Sequence, residues 1–394
     1  MYSVYQHWDP LKVCMVGKSY PPGFYSWIKN PKTRSIFERI AIETEEDYQS
    51  LIKILEKFNV KVLRPDILDD IEPNVPLGNG RYAYPTPPMT PRDYTCMFGS
   101  DFYCGSESIE RFYNSIKDPS WQQGVKTLGD MKNLPSPIQD EINNIHWHNY
   151  YAYADIISND ATYKDDSYMS AHADIHENTR SFIVTDAPHE SIISSATTVR
   201  IGTDIYCNTI NSRTISEECK THPEIFEKYR VHHLNSNEHL DSVFCPVVPG
   251  LIISLHDIPT YKDTFPDWEV VYLPDQSWDK VKPFLDLKNR NKGKWWIHGE
   301  EYNDDVIEVV DTWMSKWIGY VEETVFDVNM LVINEKNVVV NNYNKAVFDA
   351  LERYGVTPHI CNFRHRYFWD GGLHCITSDL DREGEMKDYF PERG

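Results

Sequence analysis

The chain reads as an α/β fold assembled from similar small modules within one domain. Three observations predict this. An apolar strand, a short polar turn and a second apolar strand recur as "YTCMFGSDFYCG" (94–105), "TTVRIGTDIYCNT" (197–209), "VFCPVVPGLIISL" (243–255) and "VNMLVINEKNVVVNN" (328–342). Helical periodicity lies between such units, with a strand pattern directly after each helix. The recurrences are irregularly spaced, which excludes a solenoid of fixed period. Periodicity leaves open whether the modules form one sheet or a ring.

Each element has its own signal. Tyr48, Leu51, Ile52, Leu55 and Phe58 recur at helical spacing, predicting a helix from Thr44 to Phe58 with Thr44 and Asp47 as capping residues. The strand "VKVLRP" (60–65) follows. Val347, Leu351 and Tyr354 define one face of a second helix, Asn344 to Tyr354, with Gly355 as its stop and "TPHICNF" (357–363) as the next strand. From about Asp118 to Asp186 no period holds, and Pro, Asn, Asp, Tyr and His dominate. That stretch reads as a long irregular insertion or lid. No flexible linker divides the 394 residues, so a single domain spanning 1–394 is expected.

Composition narrows the function classes. A net charge of −21 argues against a nucleic-acid-binding face, which needs basic residues to displace counterions. It suits a cation-binding site, although a generally acidic surface accounts for it equally well. The eight cysteines include no C-x-x-C pair and lie in apparent strands, as expected of reduced, buried thiols. The opening "MYSVYQHWDPLK" lacks a basic start and apolar run, and no 18-residue apolar stretch occurs anywhere, so a cytoplasmic protein is expected.

Three short constellations can carry chemistry. In "DGGLHCITSD" (370–379), paired glycines precede His374 and Cys375, and glycines beside a thiol permit close substrate approach. In "EHLDSVF" (238–244), His239 and Asp241 sit two apart; on an extended strand both would leave the same face, a base beside a cation-binding carboxylate. In "TPRDYTCMF" (90–98), Asp93 stands at the mouth of an apolar strand. Taken singly, each has a plainer reading: a buried structural cysteine, two solvated residues and a turn-forming aspartate.

Together they resemble the glycine (arginine:glycine) amidinotransferases of the guanidine-modifying superfamily. The resemblance runs through "HWDPLKVCMVG" (7–17), "TPRD" (90–93), "VRIGTDIY" (199–206), "YRVHHLNSNEHLDSVFCPVVPGLIIS" (229–254) and the C-terminal "VNMLVINEKNVVVNN … LERYGVTPHICNF … GGLHCITSDLDREG", in order. It covers nearly the whole chain apart from 118–186. It implies a five-bladed α/β-propeller of ββαβ-type modules, and an amidinotransferase acting on arginine and a small primary amine. It implies no cofactor, and makes a homodimer reasonable. By position, Cys375 falls on the nucleophile, His239 on the general acid/base, and Asp93 and Asp241 on carboxylates that grip the guanidinium.

Two departures qualify that pattern. Ser194, in "SIISSATTVRIG", stands where the family usually places a carboxylate beside the histidine, with Glu190 and Asp186 as nearby substitutes. A serine orients an imidazole but cannot neutralise its charge. The arginine that clamps the acceptor's carboxylate in the family is matched by Ile258, and a serine pair sharing that clamp by Glu322 and Glu323. Ser236 and Glu238 also replace the Asn and Met of glycine-using members, which points away from glycine as acceptor unless Lys262 or Arg366 takes over the clamp.

Alternative readings remain at this stage. A guanidine hydrolase of the same superfamily shares the nucleophile and base. His146 and His148 in "IHWHN", with His172, Asp174 and His176 in "SAHADIHEN", have metal-ligand spacing and would suit a metal-dependent hydrolase. A His-rich polar lid explains them as well. A non-catalytic binding protein that keeps the fold is the third alternative, and Trp295 and Trp296 read as packing.

Overall fold

In the computed structural model the described residues are 1–65, 67, 71–73, 75–78, 81–84, 86–93, 95–105, 174–175, 177–185, 193–208, 212–234, 236, 239–255, 260–273, 297, 299–300, 302–314, 317 and 326–393. The first strand, β1 (Leu11–Val16), leads to a helix over Pro31–Lys57 and then to β2 (Lys61–Leu63). That helix starts thirteen residues before the expected Thr44, because Phe37, Ile40 and Ala41 extend the buried stripe N-terminally. Its cap is Asn30, whose side-chain oxygen accepts from the N–H groups of Lys32 and Thr33 at 3.0 and 3.4 Å. Thr44 and Asp47 are buried acceptors within the helix: Thr44 takes a hydrogen bond from Trp369 Nε1, and Asp47 takes two from Arg364.

After the hairpin β3 (Val75–Gly78) and β4 (Arg81–Ala83), the expected two-strand units appear, each with a third strand added. β5 (Thr95–Phe98) runs antiparallel to β6 (Asp101–Gly105), which runs parallel to β7 (Ser181–Thr185). The same pairing joins β8 (Thr198–Ile201), β9 (Asp204–Cys207) and β10 (Arg230–His233). It recurs in β11 (Phe244–Val248), β12 (Leu251–Ser254) and β13 (Glu269–Tyr272), and in β14 (Leu331–Asn334), β15 (Asn337–Val340) and β16 (Thr357–Ile360).

The helix before β16 is Lys345–Arg353, capped by the Asn344 side chain and ended at Gly355, whose φ of +69° suits a residue without Cβ. The last three-stranded sheet is built from both ends of the chain: β17 (Thr377–Arg382) lies antiparallel to β1, and β1 parallel to β2.

One boundary differs from the sequence reading. Residues 181–185, placed within the irregular stretch ending at 186, form β7, whose Ser181, Ile183 and Thr185 register with Asp101, Tyr103 and Gly105. A five-residue strand with a run of only three apolar residues, 182–184, is too short to stand out beside a long polar segment. Of the remaining called positions in that stretch, His146, His148, His172 and His176 lie outside the described residues, while Asp174 accepts from the Tyr2 hydroxyl and from Lys61 Nζ. Among the described residues no helix is long and apolar enough to cross a membrane, and the seven cysteines whose side chains are described are free thiols.

Candidate active site

The functional side chains share one topological position. Asp93 ends a 3-10 turn, Pro91–Asp93, just before β5. Ser194 lies four residues before β8, and Asp241 lies in the short helix Leu240–Val243 that leads into β11. Asn329 precedes β14 by two residues, and Cys375 precedes β17 by two. Each thus sits in the lead-in to the first strand of a three-stranded sheet, so like positions of five modules deliver unlike chemistry to one place.

Hydrogen bonds close these five lead-ins into a circuit. Ser195 N–H donates to Thr95 O at 2.8 Å, and Asp241 N–H to Ala196 O at 3.2 Å. Asn329 Nδ2 donates to Asp241 O at 3.3 Å, while His374 N–H donates to Asn329 Oδ1 at 2.8 Å. Arg92 Nε completes it, donating to His374 O at 2.7 Å. Beneath the circuit the fully buried Asp379 binds three buried arginines: Arg92 Nη1 at 3.1 Å, Arg200 Nη2 at 3.2 Å and Arg382 Nε at 2.9 Å. Those guanidinium groups hold the Asp379 carboxyl well below the usual carboxylate range despite its burial.

Cys375 is 1 % exposed, and its Sγ lies 3.5 Å from Asp241 Oδ2. The same oxygen accepts from His374 Nδ1 at 2.8 Å. Burial drives the His374 imidazole well below its ordinary range, with Arg92 and the neighbouring His7 adding to the effect, so the ring is neutral and serves as a donor to Asp241. Asp241 Oδ1 is buried without a hydrogen-bond partner among the described residues. Burial is the main cause that pushes the Asp241 carboxyl up to about 7; Asp93 raises it further, while His239, Arg92 and the Cys375 hydrogen bond oppose the rise. A buried carboxylate in that condition gains most from a cation that brings its own N–H groups.

His239 caps the helix Leu240–Val243 and carries a half-exposed ring, its Nδ1 3.8 Å from Asp93 Oδ1. The strand geometry expected for His239 and Asp241 is replaced by a helix turn, because the Ser242 hydroxyl and N–H both return to His239 O, at 2.7 and 3.2 Å. The grouping survives the change: Asp93, His239, Asp241 and Cys375 converge, joined through the neighbours of Asp241. The carboxylate placed against the His239 ring is Asp93. The Ser194 hydroxyl, 1 % exposed, meets Thr197 Oγ1 at 3.2 Å.

Ser236 is buried near the same loop, its N–H on Leu234 O at 2.8 Å. Glu238, Ile258, Glu322, Glu323, Glu190 and Asp186 lie outside the described residues, as do Trp295 and Trp296. Of the two substitutes for the clamp, Lys262 is exposed, and Arg366 Nη1 is tied to Asn362 Oδ1 and Phe363 O, both at 2.9 Å. Sequence reasoning missed Asn329 and the pairing of His374 with Asp241. The signal for Asn329 was present: it precedes the first strand of a hairpin by two residues, as Asp93 does.

The chain matches no family model. It is 22% identical over 420 residues to the mitochondrial glycine amidinotransferase of Gallus gallus, covering 98% of this chain and 84% of that protein. It is 24% identical over 206 residues to the L-arginine:L-lysine amidinotransferase of Pseudomonas savastanoi pv. phaseolicola, covering 51% of this chain and 47% of that one. The chain is a relative of the amidinotransferases, which are enzymes.

The fold agrees with this kinship. An amidinotransferase of Microseira wollei from saxitoxin biosynthesis superposes with a TM-score of 0.56 at 16% identity, covering 99% of both chains. The inosamine-phosphate amidinotransferase of Streptomyces griseus gives the same TM-score, identity and coverage. Since these likenesses are below 25% identity, they speak for the α/β fold alone. For an amidinotransferase relative the Ser194 contacts carry a prediction: Ser194→Ala removes one hydroxyl contact to Thr197 and should lower kcat less than about 5-fold, while Ser194→Asp places a charge in a buried site and should lower kcat further. Steady-state rates decide. A rate preserved or raised with aspartate would contradict this.

Proposed function

We propose that this enzyme transfers an amidino group from L-arginine to a small primary amine through a covalent intermediate on Cys375. The observation that carries the reading is the placement of the Cys375 thiol 3.5 Å from a buried carboxylate, Asp241, with Asp93 and His239 beside it. A guanidinium is a planar cation with a weakly electrophilic carbon. Asp241 and Asp93 hold it by charge-assisted bonds and keep its carbon before the sulfur.

The chemistry then takes two steps. The Cys375 thiolate forms a bond to the guanidinium carbon, and His239 gives a proton to the departing nitrogen, which leaves as the amine of ornithine. The amidino-thioether left on Cys375 is attacked by the incoming amine, His239 takes that amine's proton, and the C–S bond breaks to restore the thiolate and release a new guanidine. A nearby bound cation favours the thiolate form throughout the first step.

The closed hydrogen-bond circuit and the five like-paired sheets support a single-domain, five-bladed α/β-propeller of ββαβ-type modules with the site at its axis. A cytoplasmic location and a homodimer complete the reading. The acceptor is a diamine or other amine without a carboxylate; this part rests on the sequence, where Ile258, Glu322 and Glu323 replace a cationic clamp. With arginine as donor, the assay compares glycine, putrescine, lysine and ethanolamine by kcat/KM. Ornithine and a new guanidino compound are the expected products, with putrescine or ethanolamine preferred over glycine by about 10-fold or more. Glycine preferred would show that the clamp has been replaced from elsewhere, and citrulline without ornithine would make the enzyme a hydrolase.

A further inference from the structure

One side chain within the circuit has no part in the chemistry described so far, yet it touches the nucleophile. Asn329 is fully buried, and its carboxamide is engaged on both sides. Oδ1 accepts from His374 N–H at 2.8 Å and from Cys375 N–H at 3.2 Å. Two converging backbone donors fix the orientation of the amide, because the NH2 group cannot face them. Nδ2 is therefore directed the other way, to Cys375 Sγ at 2.9 Å and Asp241 O at 3.3 Å.

We propose that Asn329 is a catalytic residue whose carboxamide N–H holds the Cys375 sulfur as a thiolate and aims it at the substrate carbon. A sulfur 2.9 Å from an amide nitrogen is an acceptor in that bond. An N–H donor stabilises the charged form of an acceptor more than the neutral form, and here it offsets the Asp241 carboxylate, whose Oδ2 lies 3.5 Å from the same sulfur and opposes its ionisation. The same residue also anchors the backbone on both sides of the thiol, so the sulfur is fixed in place as well as charged.

The local sequence is shaped around this contact. A Cβ added to Gly372 would come within 2.5 Å of Asn329 Oδ1, 2.8 Å of Phe326 Cδ1 and 2.9 Å of Asn329 Cβ. No side chain fits there with Asn329 in place, so the second glycine of "GGLHC" serves the carboxamide. Asn329 is held in turn by Asn341, whose Nδ2 donates to Asn329 O at 3.0 Å.

The inference rests on Cys375 being the nucleophile, and its test needs no substrate. The pH dependence of iodoacetamide alkylation at Cys375, followed by peptide mass spectrometry, reads the thiolate population. Asn329→Ala is expected to move the alkylation midpoint upward by about one pH unit or more, and to lower kcat by about 10²-fold or more, as for the loss of a preorganised donor. Asn329→Ser keeps a polar group in the buried site and should show the same direction of shift, which preserves the test if the alanine variant folds poorly. An unchanged midpoint in a folded variant overturns the proposal, even if kcat falls, because a purely structural asparagine would not alter the titration of the sulfur. Should Cys375→Ala itself retain activity, the failure lies with the assignment of the nucleophile instead.

Discussion

Cys375→Ala is expected to lower amidino transfer by about 10⁴-fold or more while leaving the fold intact. The thiol is the group that becomes bonded to the amidino carbon, and none of the neighbouring oxygens and nitrogens can replace it. Structurally the change is small. Asn329 loses its bond to Sγ but keeps those to Asp241 O, His374 N–H and Cys375 N–H. The lost contacts, to Asn329 Nδ2 and to Asp241 Oδ2, are worth about 1–2 kcal/mol of stability. Circular dichroism should therefore be unchanged and Tm nearly so. Retention of a tenth of the native rate would remove Cys375 from the mechanism.

Asp241→Asn is expected to have nearly as large an effect on activity and the opposite effect on stability. The carboxylate must be ionised to hold a guanidinium, so kcat/KM for the native enzyme should fall tenfold per pH unit as pH drops below about 7, the range to which burial pushes Asp241. The asparagine variant should lose kcat/KM by about 10³-fold, the cost of deleting one member of a buried charge pair.

Stability follows from linkage. The folded value lies above the ordinary 3.8, so the folded state holds this proton more tightly than the unfolded chain does. The associated stabilisation is fully present below pH 3.8 and is lost as pH rises through about 7. At pH 8 the ionised Asp241 is a burden on the substrate-free protein, and asparagine removes it. Tm at pH 8 should rise, by roughly 1–3 °C per kcal/mol recovered, and the gain should shrink toward pH 5. Thermal melts at the two pH values check this; a lower Tm for Asp241→Asn at pH 8 would show that the native carboxylate is already compensated.

Much of this site was legible in the sequence because its parts lie in short motifs at the ends of apolar strands. Asp93 and Asp241 each precede a run that is plainly a strand, Cys375 follows a glycine pair, and a strand's first residues are where a sheet presents side chains to its end. The repeated hairpins were equally plain, since both strands of each are almost wholly apolar. What sequence could not give was the third strand of three sheets, β7, β10 and β13: β7 and β10, for example, pair in parallel with partners 26 to 80 residues away, through Arg230↔Asp204 and Ser181↔Asp101. The start of the first helix was hidden for a related reason. Its N-terminal half alternates buried Phe37, Ile40 and Ala41 with charges, and only tertiary packing tells that stripe from a loop.

Asn329 shares the position of Asp93, two residues before a hairpin strand, but its residue type masked it, because an asparagine there has the local signature of a turn. Its role depends on a contact 46 residues away in sequence. Ser194 teaches the converse. The motif suggested a relay to His239, but its hydroxyl is engaged with Thr197, and the carboxylate beside the imidazole comes from another module, as Asp93. Spacing along the chain identified the right module and could not decide which neighbour the ring would meet.

The central claim, a covalent amidino group on Cys375, is open to direct observation. The native enzyme is mixed with L-arginine without an acceptor amine, quenched in acid within the first turnovers, and its peptides are mapped by mass spectrometry. The expected result is a mass increase of one amidino group on the peptide that carries Cys375, with release of one equivalent of ornithine, and loss of the adduct when an acceptor amine is added before the quench. Unmodified Cys375 in an enzyme that turns over arginine, or an adduct confined to another cysteine, would contradict the account.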